Sequence, residues 1–131
     1  MATVLAALVA TVIVLAGALL FGPHGITHCR DMRRAKALAD VRGMEEAIRM
    51  FKRDCGAIPT SLDALVAGSP AGAECTGNYD PRGYLDRVPI DPWGHPYLYR
   101  PHRGSYLIGS FGADGMKGGK GEAADIDNLR L

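Results

Sequence analysis

Residues 84–97, YLDRVPIDPWGHPY, restrict the fold more than any other stretch of this chain. Three prolines, Pro89, Pro92 and Pro96, fall within eight positions. Each lacks an amide donor and fixes φ, which closes off both a helix and the middle of a sheet. Asp91-Pro92-Trp93-Gly94 has turn chemistry instead: Asp caps, Pro presets φ, and Gly accepts positive φ. Tyr84, Leu85, Val88, Ile90, Trp93, Tyr97 and Tyr99 surround the turn and are apolar enough to fold it onto a core. The segment is a rigid aromatic turn leading into a short strand at 97–99. It holds no nucleophile or base that would suggest catalysis.

That core needs a partner, and residues 26–54 supply one. Leu38, Val41, Met44 (or Ala47), Ile48 and Phe51 recur at steps of three and four, while Arg42, Glu45, Glu46, Arg49 and Lys52 occupy the other face. This is the pattern of an amphipathic helix. Gly56 follows as a stop signal. A short helix over 62–67 is expected next, with Thr60 or Ser61 as N-cap. Residues 68–83 then read as a loop.

Residues 2–21 contain no charged side chain. Twenty residues at about 1.5 Å each span about 30 Å, the hydrocarbon thickness of a bilayer. The run is longer than a signal-peptide core of roughly 7–15 residues and has no Lys or Arg before it, so a retained membrane helix is expected. Pro23 and Gly25 predict a kink or short break between the two apolar zones. The resulting organisation is a membrane or filament-core segment at 1–25 and a globular head at 26–131. Arg30, Arg33, Arg34 and Lys36 follow the span, and positive-inside counting alone would leave the head in the cytoplasm.

The cysteines point the other way. Cys29, Cys55 and Cys75 form no CxxC pair and have no His at zinc spacing, which argues against a zinc site. Cys55 and Cys75 are either two unpaired thiols or a bridge closing a loop of roughly 20 residues, the latter requiring an oxidising compartment. Neither His95 nor His102 is marked as a base for a catalytic cysteine. The net charge is +1, with no basic patch interleaved with aromatics, so nucleic acid is not an expected partner.

A second strand candidate, 106–108, runs into GSFGADGMKGGKGEAADIDN. Its glycines let carbonyls turn inward, and Asp114, Asp125 and Asp127 supply carboxylates, a hard-oxygen set suited to Ca²⁺. The same composition also describes a solvated turn. The loop lacks the EF-hand spacing and the GK[ST] of a P-loop.

Three blocks now carry a resemblance: ADVRGMEEAIRMFKRDCGAIPTSLDALV, GYLDRVPIDPWGHPYLY and SFGADGMKGGKGEAADI. In order and spacing they resemble the major pseudopilin of bacterial type II secretion systems, over roughly residues 35–127. The resemblance implies an α+β fold, with a long N-terminal helix on a small antiparallel sheet and a Gly-rich C-terminal loop. It implies a single-pass inner-membrane protein with a periplasmic head, or else an extracellular filament. Its implied partners are copies of itself in a helical filament, the minor pseudopilins and the inner-membrane secretion platform. It further implies Ca²⁺ held by the Asp114 and Asp125 side chains and the Phe111 and Met116 carbonyls. Asp127 stands where the family usually has Gly and adds a carboxylate; Lys117 and Lys120 dilute the negative charge, and Leu129 stands near a usual Trp. The family's basic leader and Phe-Thr-Leu-Ile-Glu run are not found in residues 1–25. With Ala2 as first residue, Ala6 takes the Glu position and Pro23 that of the family's kinking proline. Two functions follow: a filament subunit, or a membrane-anchored or secreted Ca²⁺-binding module that does not polymerise. An enzyme is not expected.

Overall fold

The computed structural model describes residues 24–68, 74–75 and 77–130, with side chains in the first helix from Met32 onward. The chain divides into two compact units, Met1–Met32 and Arg33–Leu131, and the architecture below is that of the second. The expected membrane segment and Pro23 lie outside the described residues. Among the described residues no helix is long and apolar enough to cross a membrane.

Helix α1 (His24–Cys55) presents the buried face Ala37, Val41, Met44, Ala47, Ile48 and Phe51. The helical period placed this stripe correctly except at its start. Ala37 is fully buried and Leu38 only partly so, the face lying one residue round from the larger side chain. Met44 and Ala47, read as alternatives, are both buried. Gly25 lies within the helix, so no break occurs at that residue. Lys52 and Arg53 in the last turn suit the negative end of the helix dipole. The helix stops at Gly56, whose φ of +80° turns the chain away while its amide bonds the Lys52 carbonyl at 2.9 Å.

Beyond the helix the chain is fastened at several points. Cys55 and Cys75 are bridged, with an S–S distance of 2.03 Å. The Phe51, Tyr79 and Tyr84 rings meet edge to face at centroid distances of 5.6–6.3 Å. The expected helix over 62–67 is a shorter 3₁₀ turn, Leu62–Leu65. Val66 ends it early because its backbone is extended and bridges Gly83 and Leu85. Ser61 occupies the N-cap position without a side-chain capping bond, and the Thr60 hydroxyl bonds Glu74 instead.

The sheet has three antiparallel strands in the order β1 (Leu98–His102), β2 (Ser105–Ser110), β3 (Ile126–Asp127). His102 pairs with Ser105, so Arg103 and Gly104 form a two-residue hairpin loop. Both have positive φ, 42° and 82°, as a type I′ turn requires. Pro101 is tolerated because β1 is an edge strand. Ile108 and Ser110 share one face of β2, and both are buried. The sheet is extended by Asn128, whose side chain accepts from the Ile108 amide at 2.9 Å and donates to the Tyr106 carbonyl at 3.3 Å. The Tyr97 hydroxyl donates to Asp40 on α1 at 3.0 Å, and that of Tyr99 donates to the Pro59 carbonyl at 2.7 Å.

Candidate metal site and family

The loop between β2 and β3 is built from two 3₁₀ turns, Gly112–Asp114 and Gly121–Ala123. They come together because glycines stand where they touch. A Cβ on Gly112 would lie 2.5 Å from the Glu122 carbonyl oxygen, and one on Gly119 only 2.3 Å from that of Ala123. The second turn is anchored to α1 by an Arg33–Glu122 ion pair at 3.1 Å and by Arg34 Nη1 donating to the Ala124 carbonyl at 3.4 Å.

Asp114 and Asp125 lie in this loop, whereas Asp127 is on strand β3 and pairs with Gly109. Asp114 Oδ1 accepts the Met116 amide at 3.0 Å, and Asp125 Oδ1 accepts the Gly118 amide at 2.9 Å. Among the described residues, the second oxygen of each has no hydrogen-bond partner. Asp127 is more committed, with Oδ1 accepting from the Leu129 amide at 3.1 Å and Oδ2 lying 3.4 Å from Arg130 Nε. Phe111, Lys117, Asp125 and Asp127 line one cavity of about 220 Å³, together with Leu98, Leu129 and Arg130 among others. Asp114 and Met116 do not line that cavity, and the Met116 side chain is exposed. Among the described residues no three His, Cys, Asp or Glu side chains converge on one point. A cation here would therefore need backbone carbonyls to complete its shell. The donors are all oxygens, the natural partners of a hard cation, and neither Lys117 nor Lys120 forms an ion pair with them among the described residues.

The Asp91 turn forms as its sequence indicates. Asp91 Oδ1 accepts the Trp93 and His95 amides at 3.1 and 2.8 Å, and Gly94 takes φ of +94°. Sequence reasoning missed what Asp91 does next. Its Oδ2 accepts the Ser110 hydroxyl at 2.5 Å, and Ser110 Oγ in turn accepts the Gly112 amide at 2.9 Å. His95 Nδ1 donates to the Gly112 carbonyl at 3.2 Å. The aromatic turn thus reaches the first residue of the Gly112–Asp114 turn. Only the Asp-Pro-Trp-Gly turn signalled part of this; Ser110 gave no signal.

The family model for type II secretion system (T2SS), protein G, matches residues 26–129. The chain belongs to that family. It is 40% identical over 101 residues to the type II secretion system core protein G of Vibrio cholerae, covering 73% of this chain and 68% of that protein. The Aeromonas hydrophila core protein G is 37% identical over 130 residues, covering 94% and 88%. The crystal structure of the major pseudopilin from the type 2 secretion system of enterohaemorrhagic Escherichia coli superposes with a TM-score of 0.64 at 32% identity. That match covers 83% of this chain and 96% of the other. The protein G family is one of structural filament subunits, not of enzymes.

Proposed function

We propose that this chain is the major structural subunit of a pseudopilus that supports type II protein secretion. The observation that carries the reading is the match to the E. coli major pseudopilin over 96% of that chain and 83% of this one. Before assembly, residues 2–21 store the subunit in the inner membrane as a single span. In the filament the same apolar surface packs against neighbouring copies, gaining roughly 25 cal/mol per Å² removed from water. The Cys55–Cys75 bridge supports a periplasmic head, since such bonds persist in oxidising compartments. The minor pseudopilins and the inner-membrane platform are its further partners. Truncation to residues 26–131 tests the packing role of the helix: the fragment should sediment as a monomer, and filaments formed by the head alone would overturn it.

Calcium is the proposed cofactor. Asp114 and Asp125 would hold it through their uncommitted oxygens, with the Phe111 and Met116 carbonyls completing the set. Asp127, tied to Arg130, is peripheral. A bound cation supplies positive charge that draws carboxylates and carbonyls together. The chain supplies a loop whose many glycines otherwise lose more backbone entropy on ordering than other residues would.

A further inference from the structure

Gly112 is gripped through both of its backbone polar groups. Its amide donates to Ser110 Oγ at 2.9 Å, and its carbonyl accepts from His95 Nδ1 at 3.2 Å. Behind Ser110 stands Asp91, whose side chain is fully buried and whose oxygens accept the Ser110 hydroxyl and the Trp93 and His95 amides. A buried carboxylate with three donors on a proline-stiffened turn is a fixed point, because moving it strands several polar groups at once. Gly112 has φ of +74° and faces the Gly121–Ala123 turn so closely that no side chain fits. At the other end of the Gly112–Asp114 turn, Gly115 has φ of +65°, and a Cβ there would lie 3.2 Å from the His95 ring. The 3₁₀ turn is therefore held at its start by Ser110 and His95 and confined at its end by His95 again. This turn carries Asp114 and directly follows Phe111.

We infer that the Asp91–Ser110–Gly112 relay, with His95 on the carbonyl side of Gly112, is a positioning device that presets the loop for a divalent cation. The inference rests on the calcium reading above. Asp91 is not a ligand, since both its oxygens are engaged. It acts through Ser110, fixing the backbone between two proposed donors so that less ordering remains to be done when the cation arrives.

The test is calorimetric titration of Ca²⁺ into the full chain in detergent micelles. Ser110→Ala removes the hydroxyl linking Asp91 to the Gly112 amide, and should weaken Ca²⁺ binding about tenfold. Ser110→Thr keeps the hydroxyl and should restore most of the affinity. Tyr99→Phe deletes a hydrogen bond to the Pro59 carbonyl in another part of the head, and should lower stability without changing Ca²⁺ affinity. Should Ser110→Ala fail to fold, His95→Ala releases the other side of Gly112 from a partly exposed position and carries the same expectation. Wild-type affinity in the folded Ser110→Ala and His95→Ala chains, or equal weakening in Tyr99→Phe, would overturn the relay and leave the calcium reading standing. Absence of any Ca²⁺ heat from the wild type would overturn both.

Discussion

Removing the Cys55–Cys75 bridge isolates one physical effect. The bridge joins residues 20 apart. In the chain-entropy treatment a loop of that length restricts the unfolded chain by about 11 cal/mol/K, or about 3 kcal/mol at 25 °C. The folded geometry around it has other supports. The Asp54 carbonyl accepts the Asn78 amide at 2.9 Å, the Tyr84 hydroxyl reaches Asp54 Oδ2 at 3.2 Å, and Thr60 bonds Glu74. A Cys55→Ser/Cys75→Ser chain should therefore keep its fold and lose stability mainly through a freer unfolded state. For a head of about 100 residues, 3 kcal/mol corresponds to a fall in Tm on the order of 15 °C. Urea unfolding in detergent, followed by tyrosine and tryptophan fluorescence, measures the loss directly. A loss below about 1 kcal/mol would refute the chain-entropy account and assign the segment to its hydrogen bonds and the Phe51–Tyr79–Tyr84 cluster. Alkylation of native protein without reduction, read by mass spectrometry, should leave Cys55 and Cys75 unmodified.

Two further outcomes follow from the same geometry. Chelation with EGTA should lower the melting temperature, and Ca²⁺ should restore it better than Mg²⁺; at a hundredfold excess over Kd, Ca²⁺ should stabilise the fold by about 2.7 kcal/mol. Asp114→Ala or Asp125→Ala should abolish that shift, whereas Asp127→Ala should change it little, since Asp127 is bound to Leu129 and Arg130. At high pH the buried phenols set the response. Burial pushes Tyr99 up to about 12, and burial with the hydrogen bond to Asp40 raises Tyr97 further, from an ordinary value of 10.0. The folded chain then keeps protons that the unfolded chain releases, so stability is full below pH 10 and declines as pH rises toward 12 and beyond. Tyr97→Phe should flatten that decline in alkaline unfolding curves.

What could be read from the sequence was local. The α1 face follows from side chains three and four apart, and the Asp91 turn from residues that each carry their own turn chemistry. Gly56 marked its helix stop in the same way. Readings failed where distant chain decided the outcome. Val66 left the helical conformation to bridge Gly83 and Leu85, and the strand expected at 97–99 runs over Leu98–His102 where it pairs with β2. Asn128 completes the sheet with a side-chain amide that no strand pattern reveals. In the candidate site the glycines and aspartates were visible, whereas the pairing of Asp127 with Arg130 was not read from the sequence. The Ser110–Asp91 contact spans 19 residues and had no local signature.

The central claim is that this chain polymerises through its N-terminal helix into a secretion filament. Helical reconstruction by electron cryomicroscopy of filaments sheared from cells that express this chain with its secretion system tests it most directly. The expected result is a filament with one head per repeat, each accommodating α1, the three-stranded sheet and the bridged Cys55–Cys75 loop around a core of apolar helices. A chain that stays unassembled in the membrane while secretion depends on it, or that secretion does not require at all, would contradict the account and favour a calcium-binding module that does not polymerise.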